Sequence, residues 1–173
     1  IYGDVLANLL KFNGNKVTKE YYINDYGNQI INFTKSVFLR IREIKYSEKF
    51  TPNENLYPGE YIIDIANKII EANKDEEFEN FEKSFRLLKK ESLNHSMNLI
   101  KADLKKLGIE HDNFFSETDL VDNKLVDKAV SVLRENNYVQ DGYLDPPKGE
   151  NDKNWKKTKR LIFKSTLFGD DTD

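Results

Sequence analysis

The sequence has no cysteine, one tryptophan, one methionine, four prolines and eight glycines in 173 residues. Without cysteine there is no disulfide framework, thiol nucleophile or thiolate metal site. That composition agrees with a reducing compartment, and a cytoplasmic location is expected. No apolar run approaches the ~18 residues of a membrane-spanning helix, so no membrane partner is expected. Charge of one sign does not dominate either: 27 Lys and Arg face 30 Asp and Glu, for a net charge of −3. This excludes a globally basic nucleic-acid binder and leaves room for a local basic patch. Neither a GxGxxG nor a GxxxxGK[ST] phosphate loop occurs. The two histidines, His95 and His111, have no zinc-type spacing, and no metal site is expected. The chain opens Ile1-Tyr2-Gly3-Asp4 without Met and closes Asp170-Asp171-Thr172-Asp173 without a helix stop, so an internal fragment is expected.

Hydrophobic spacing supplies the architecture. Tyr2, Leu6, Leu9 and Leu10 lie on one helical stripe, which Asn13-Gly14 ends. Val17 to Ile23 is β-branched and aromatic, with Val17, Lys19, Tyr21 and Ile23 on one face of a strand. Ile30, Thr34, Val37, Ile41 and Ile44 keep a helical period after the Gly27 break, and Tyr46 to Gly59 reads as a loop. Ile62, Ile65, Ala66, Ile69 and Ile70 form a wide amphipathic stripe. A long helix is expected from near Asp75 to Leu107. Asp75, Glu76 and Glu77 would sit at its N-terminus, and Phe78, Phe81, Phe85 and Leu88 would form its first stripe. A short strand over Asp112–Phe115 and a helix through Val126, Ala129, Val130 and Leu133 follow. Tyr138–Leu144 carries an Asp141-Gly142 pair expected to turn a hairpin, and Leu161–Phe168 reads as a last strand. Helix, strand, tight turn, helix is the grammar of an α/β sheet. The expected fold is α/β and predominantly helical.

Several residue groups admit two readings. Asn24-Asp25-Tyr26-Gly27-Asn28-Gln29 lies at the carboxyl end of a presumed parallel strand, where open α/β sheets bind ligands. The same turn is also explained by Asp25 capping the next helix and Gly27 relieving strain. Glu110, Asp112, Glu117 and Asp119 surround Phe114-Phe115. They are better read as helix-capping and surface carboxylates, with Ser116, than as an acid–base pair. The run from Asn151 to Arg160 sets Lys153, Lys156, Lys157, Lys159 and Arg160 around Trp155. Cations beside a stacking ring suit a nucleic-acid backbone, but the residues alone are better read as a solvated loop whose Trp155 packs on the core.

The stretch Tyr21-Tyr22-Ile23-Asn24-Asp25-Tyr26-Gly27-Asn28-Gln29-Ile30, preceded by Gly3-Asp4-Val5-Leu6-Ala7-Asn8-Leu9-Leu10, resembles the catalytic domain of arginyl-tRNA synthetases. Leu56-Tyr57-Pro58-Gly59-Glu60-Tyr61, His111-Asp112-Asn113-Phe114-Phe115-Ser116-Glu117 and Phe168-Gly169-Asp170-Asp171 extend the resemblance over essentially the whole chain. It implies part of a class I Rossmann-like nucleotide-binding domain with a connective insertion. Residues 1–45 would belong to the Rossmann-like half, 46–136 to a helical segment with a short strand, and 137–173 to the insertion with its hairpin and basic loop. It further implies an enzyme that activates arginine with ATP and Mg2+ and charges the 2′-hydroxyl of the terminal adenosine of tRNA(Arg). Asn24, Asp25, Gly27 and Gln29 would then edge the substrate pocket; Tyr26 stands where Trp or Ala is commoner. Lys153, Trp155, Lys156, Lys157, Lys159 and Arg160 would contact tRNA. The ATP signature would precede Ile1 and the second signature loop would follow Asp173. No catalytic residue, bound cofactor or activity of the fragment alone is therefore expected, and the protein is expected to be monomeric. The alternative is a non-catalytic helical binding module sharing ancestry with the synthetase.

Overall fold

In the computed structural model, residues 1–143 and 158–171 are described. They form two compact units, 1–118 and 119–173. The first carries α1 (Tyr2–Phe12), β1 (Glu20–Ile23), α2 (Asn28–Tyr46), α3 (Glu60–Ala72), α4 (Phe81–Lys106) and β2 (Asn113–Ser116). A short α5 (Glu117–Asp122) spans the boundary, and α6 (Leu125–Glu135), β3 (Val139–Tyr143) and β4 (Lys159–Phe163) follow. The mostly helical α/β expectation holds. No helix among the described residues is long and apolar enough to cross a membrane.

The core of the first unit is made by α2, α3 and α4. Val37, Ile41, Ile62, Ile65, Ile69, Phe78 and Leu88 are all fully buried within it. Each buried aliphatic side chain of this size contributes roughly 1.5–3 kcal/mol. The stripes expected on α2 and α3 are thus the ones buried, except that Ile44 stays exposed. Several polar groups inside the core are paired, although Ser92 Oγ on α4 is buried without a hydrogen-bond partner among the described residues. Ser36 Oγ donates to the Asn32 carbonyl at 2.7 Å and accepts from the Tyr57 amide at 2.9 Å, joining the 46–59 loop to α2. Arg40 lies over the Phe50 ring and bonds Glu43, and Glu43 also accepts from the Phe50 amide.

The start of α4 differs from expectation. The helix begins at Phe81, capped by Asn80, whose side chain accepts from the Lys83 amide at 3.0 Å. Phe78 lies outside it at φ +52°, a left-handed conformation that a continuing helix cannot contain. The acidic cluster consequently serves α2 rather than α4. Lys45 donates to the Glu76 carbonyl at 2.7 Å, and the Tyr46 hydroxyl bonds Glu77.

α1 forms where its stripe predicts, yet only Ala7 is buried on it; Tyr2, Leu6, Leu9 and Leu10 are exposed. An Asp4–Lys19 ion pair at 2.8 Å ties the helix to the segment before β1. β1 is shorter than the expected Val17–Ile23 because its parallel partner begins opposite Glu20. Before that point the Asp112 side chain takes the Lys19 amide at 2.7 Å, substituting for a ladder bond. The expected alternation survives: Val17, Lys19, Tyr21 and Ile23 are all half-buried between exposed neighbours.

Two expectations fail in the second unit. Asp141-Gly142 lies inside β3, where Gly142 pairs with Arg160 of antiparallel β4. A Cβ at Gly142 would come within 2.7 Å of Ile162 Cδ1, the end of a flexible side chain, so the strand backbone lies against the buried Ile162. The expected strand Leu161–Phe168 becomes β4 followed by a 3-10 turn, Ser165–Phe168. Phe168 folds back to stack on Phe163, ring centroids 5.5 Å apart, and meets Tyr138 edge-on.

Candidate functional site

β1 and β2 run parallel in register, Ile23 opposite Ser116, so their carboxyl ends lie side by side. The pleat sends Tyr21 and Ile23 to the inner side, with Phe114 and Ser116 beside them, and the turn after Ile23 buries Asp25 on its own account. Asp25 is only 6% exposed. Its Oδ2 accepts from Ser116 Oγ at 2.7 Å and its Oδ1 from the Thr118 amide at 2.8 Å. The Thr118 hydroxyl donates to the Asp25 carbonyl at 3.0 Å. Burial pushes the Asp25 carboxyl up, but these hydrogen bonds outweigh it and hold the group below its ordinary value.

This corrects the capping reading of Asp25. No side chain caps α2; its N-cap is Gly27. Asp25 instead reaches across to the neighbouring strand and receives an amide at the start of α5. Gly27 has φ +83° and ψ −165°, a combination open essentially to glycine alone. Nothing lies within 4 Å of where its Cβ would stand, so the requirement is conformational rather than steric. Gly27→Ala is therefore expected to cost about 1–3 kcal/mol of stability, read by urea unfolding. An unchanged midpoint would refute it.

Beside this turn is a cavity of about 250 Å³. Asn24 and Gln29 lie on its edge, bridged by a bond from Asn24 Nδ2 to Gln29 Oε1 of 3.1 Å. Tyr21, Tyr22, Tyr57 and Tyr61 contribute aromatic walls, while Ile30 and Phe33 of α2 and Leu93, Met97 and Ile100 of α4 contribute aliphatic and further aromatic surface. Of the four turn residues singled out in the sequence, Asn24 and Gln29 line the cavity. Asp25 is buried behind them, and Gly27 shapes the turn. Burial, and then the Glu117 carboxylate, pushes the Tyr22 hydroxyl up; burial does the same for Tyr61.

The remaining candidates separate. Asp112 is held below its ordinary value chiefly by the Lys19 amide. His111 packs edge-on to Tyr21 and Phe114 just ahead of β2. Among the described residues no group of three or more His, Asp or Glu could hold a metal ion. Lys159 and Arg160 lie on β4, Lys159 paired with Asp141 at 3.2 Å. Lys153, Trp155, Lys156 and Lys157 lie outside the described residues. Sequence reasoning missed Ser96 and Thr118 altogether. It placed Tyr57 and Tyr61 in a motif without seeing that they face the Asn24–Gln29 turn.

No family model matches the chain. Curated relatives do match, over all of it. It is 53% identical to the arginine–tRNA ligase of Pelagibacter ubique (strain HTCC1062) and 41% identical to that of Orientia tsutsugamushi (strain Ikeda). The chain is homologous to a segment of arginine–tRNA ligase. It spans 30% of the length of these ligases. A crystal structure described as an arginyl-tRNA synthetase from Campylobacter jejuni superimposes with a TM-score of 0.75. There the identity is 27%, covering 99% of this chain and 34% of that one. The ligase homology thus takes in every element around the Asn24–Gln29 turn.

Proposed function

We propose that the polypeptide containing this chain is an arginine–tRNA ligase. It activates arginine with ATP and Mg2+ to arginyl-adenylate, then passes the arginyl group to the 2′-hydroxyl of the terminal adenosine of tRNA(Arg). The observation carrying this reading is the match of the whole chain, at up to 53% identity among the relatives named above, to proteins bearing that name. The cavity at the carboxyl ends of two parallel strands supports it, since ligands bind there in α/β sheets. In this reading β1, β2 and the flanking helices belong to a class I Rossmann-like domain. Residues 1–45 supply its Rossmann-like part, 46–136 a helical segment, and 137–173 a connective insertion.

Asn24, Asp25, Gly27 and Gln29 edge the substrate pocket in this proposal. Lys153, Trp155, Lys156, Lys157, Lys159 and Arg160 meet tRNA phosphates, adding affinity without base specificity. Adenylate formation needs positioned charge around the phosphates. The described residues offer no glycine-rich cradle or metal cluster for it, so the chemistry is assigned to other parts of the polypeptide. The full-length protein is expected to catalyse arginine-dependent ATP–pyrophosphate exchange in the presence of tRNA(Arg). The 173-residue chain alone is expected to give only the buffer rate. Exchange by the isolated chain, or none by the full-length protein, would overturn the corresponding half of the proposal. The second result would favour a non-catalytic binding module.

A further inference from the structure

We propose that Ser36 and Arg40 of α2 are positioning residues for the substrate pocket. They hold the backbone of the 46–59 loop so that the Tyr57 ring stands as a fixed wall of the cavity. The proposal rests on the ligase reading of that cavity. Ser36, Arg40 and Glu43 follow one another at helical spacing, which puts them on one face of α2. Each takes a different backbone group of the loop. Ser36 Oγ accepts from the Tyr57 amide at 2.9 Å, and Arg40 Nη2 donates to the Pro58 carbonyl at 3.3 Å. Glu43 Oε1 accepts from the Phe50 amide at 3.3 Å. Ser36 is fully buried, and its own hydrogen is committed to the Asn32 carbonyl, so its oxygen is left to receive the loop. The ion pair between Arg40 and Glu43 at 2.6 Å joins the second rung to the third.

What these bonds fix is one side chain. Residues 51–55, between the anchors, are exposed, so the core does not require them to be held. Tyr57 is the one residue of the loop that lines the cavity, which it shares with Asn24 and Gln29. Its backbone is clamped on both sides, by Ser36 at its own amide and by Arg40 one carbonyl further on. Because Pro58 follows, Tyr57 is restricted to extended backbone, and the two anchors then set the direction of its Cβ. The Phe33 ring, edge-on with centroids 5.6 Å apart, sets the plane of the tyrosine. A wall fixed before the ligand arrives contributes affinity that a mobile wall loses to ordering. Neither Ser36 nor Arg40 lines the cavity, so their effect on binding passes through the residue they hold.

The test is a double-mutant cycle between Ser36→Ala and Tyr57→Ala in the full-length protein, read as arginine-dependent ATP–pyrophosphate exchange in the presence of tRNA(Arg). Ser36→Ala is expected to raise KM for arginine or ATP by about three- to tenfold with kcat nearly unchanged, the pattern of binding lost equally from ground and transition states. Tyr57→Ala should raise the same KM at least as far, and adding Ser36→Ala to it should change KM no further. The core variant Ile69→Val should lower the midpoint of urea unfolding and leave both KM values alone, which separates positioning from stability. Should Ser36→Ala fail to fold, Arg40→Lys takes its place in the cycle, since it keeps the charge beside Glu43 and shortens the reach to Pro58. Wild-type KM values for both substrates in either single variant would overturn the proposal. So would a Ser36→Ala effect that persists undiminished in the Tyr57→Ala background. Absence of exchange by the wild type would instead defeat the ligase reading. Hydrogen exchange at the Tyr57 amide then decides the anchoring by itself: faster in Ser36→Ala if Ser36 holds the loop, unchanged if it does not.

Discussion

Asp25→Ala is expected to destabilise the unit of residues 1–118 by about 3–5 kcal/mol in the full-length protein. The carboxylate is buried and receives the Ser116 hydroxyl and the Thr118 amide. Its removal strands both donors where water cannot replace it, the costly way to break a buried polar network. Asp25→Asn keeps an acceptor and should recover part of the loss. The pH dependence follows from the lowered Asp25 value. Its stabilisation is fully present above the unfolded carboxyl pKa of about 3.9 and is lost as pH falls through the lower folded value. The difference between wild type and Asp25→Ala should therefore be flat from pH 6 to 8 and shrink below about pH 4. Urea unfolding against pH reads this directly. In the proposed enzyme, kcat/KM for arginine or ATP should also fall at least tenfold, about 1.4 kcal/mol, because the turn carrying Asn24 and Gln29 is anchored through Asp25. Wild-type stability together with unchanged hydrogen exchange at the Thr118 amide would refute the network's role.

Phe78→Ala is expected to cost about 3–5 kcal/mol, since the ring is fully buried between α2, α3 and α4. The informative comparison is Phe78→Gly. At a buried Phe in a helix or strand, glycine would be worse than alanine by roughly 0.5–1 kcal/mol. At Phe78 the backbone is left-handed, φ +52°, which costs a residue with a Cβ about 1–2 kcal/mol. Glycine is therefore expected to equal or exceed alanine in thermal unfolding. A glycine variant clearly less stable than the alanine variant would count against the left-handed backbone.

What the sequence made legible follows its periodicities. The α2 and α3 stripes are long and their apolar residues recur every three or four positions, so a single buried face explains them. β1 showed its alternation even where no ladder forms. Phe78 was misplaced because its spacing to Phe81 and Phe85 imitates a helix, and only the tertiary pull of the core reveals the break. Asp141-Gly142 was misread because the pair is a turn signal in local sequence, and only its pairing with Leu161 and Arg160 of β4, some twenty positions away, places it inside a strand. At the site, Asn24 and Gln29 were visible because a strand-to-helix turn is local. The partners of Asp25 were not, since Ser116 and Thr118 stand more than ninety positions further along.

That separation also orders the assembly of the chain. α2 packs on α3 and α3 on α4 across short connections, and α2 meets α4 across a span that α3 itself fills, so their packing closes shorter loops than the strand pair does. The β1–β2 ladder must close a loop of some ninety residues for four paired positions, a poor entropic exchange in an open chain. Once the three helices have docked, most of that loop is already folded away and the two strand ends are delivered close together. The parallel ladder is thus a late event, and the Asp25 bonds to Ser116 and Thr118 lock a closure that the helices have prepared. Mutations in the helical core should slow folding, whereas mutations in the strand pair should speed unfolding.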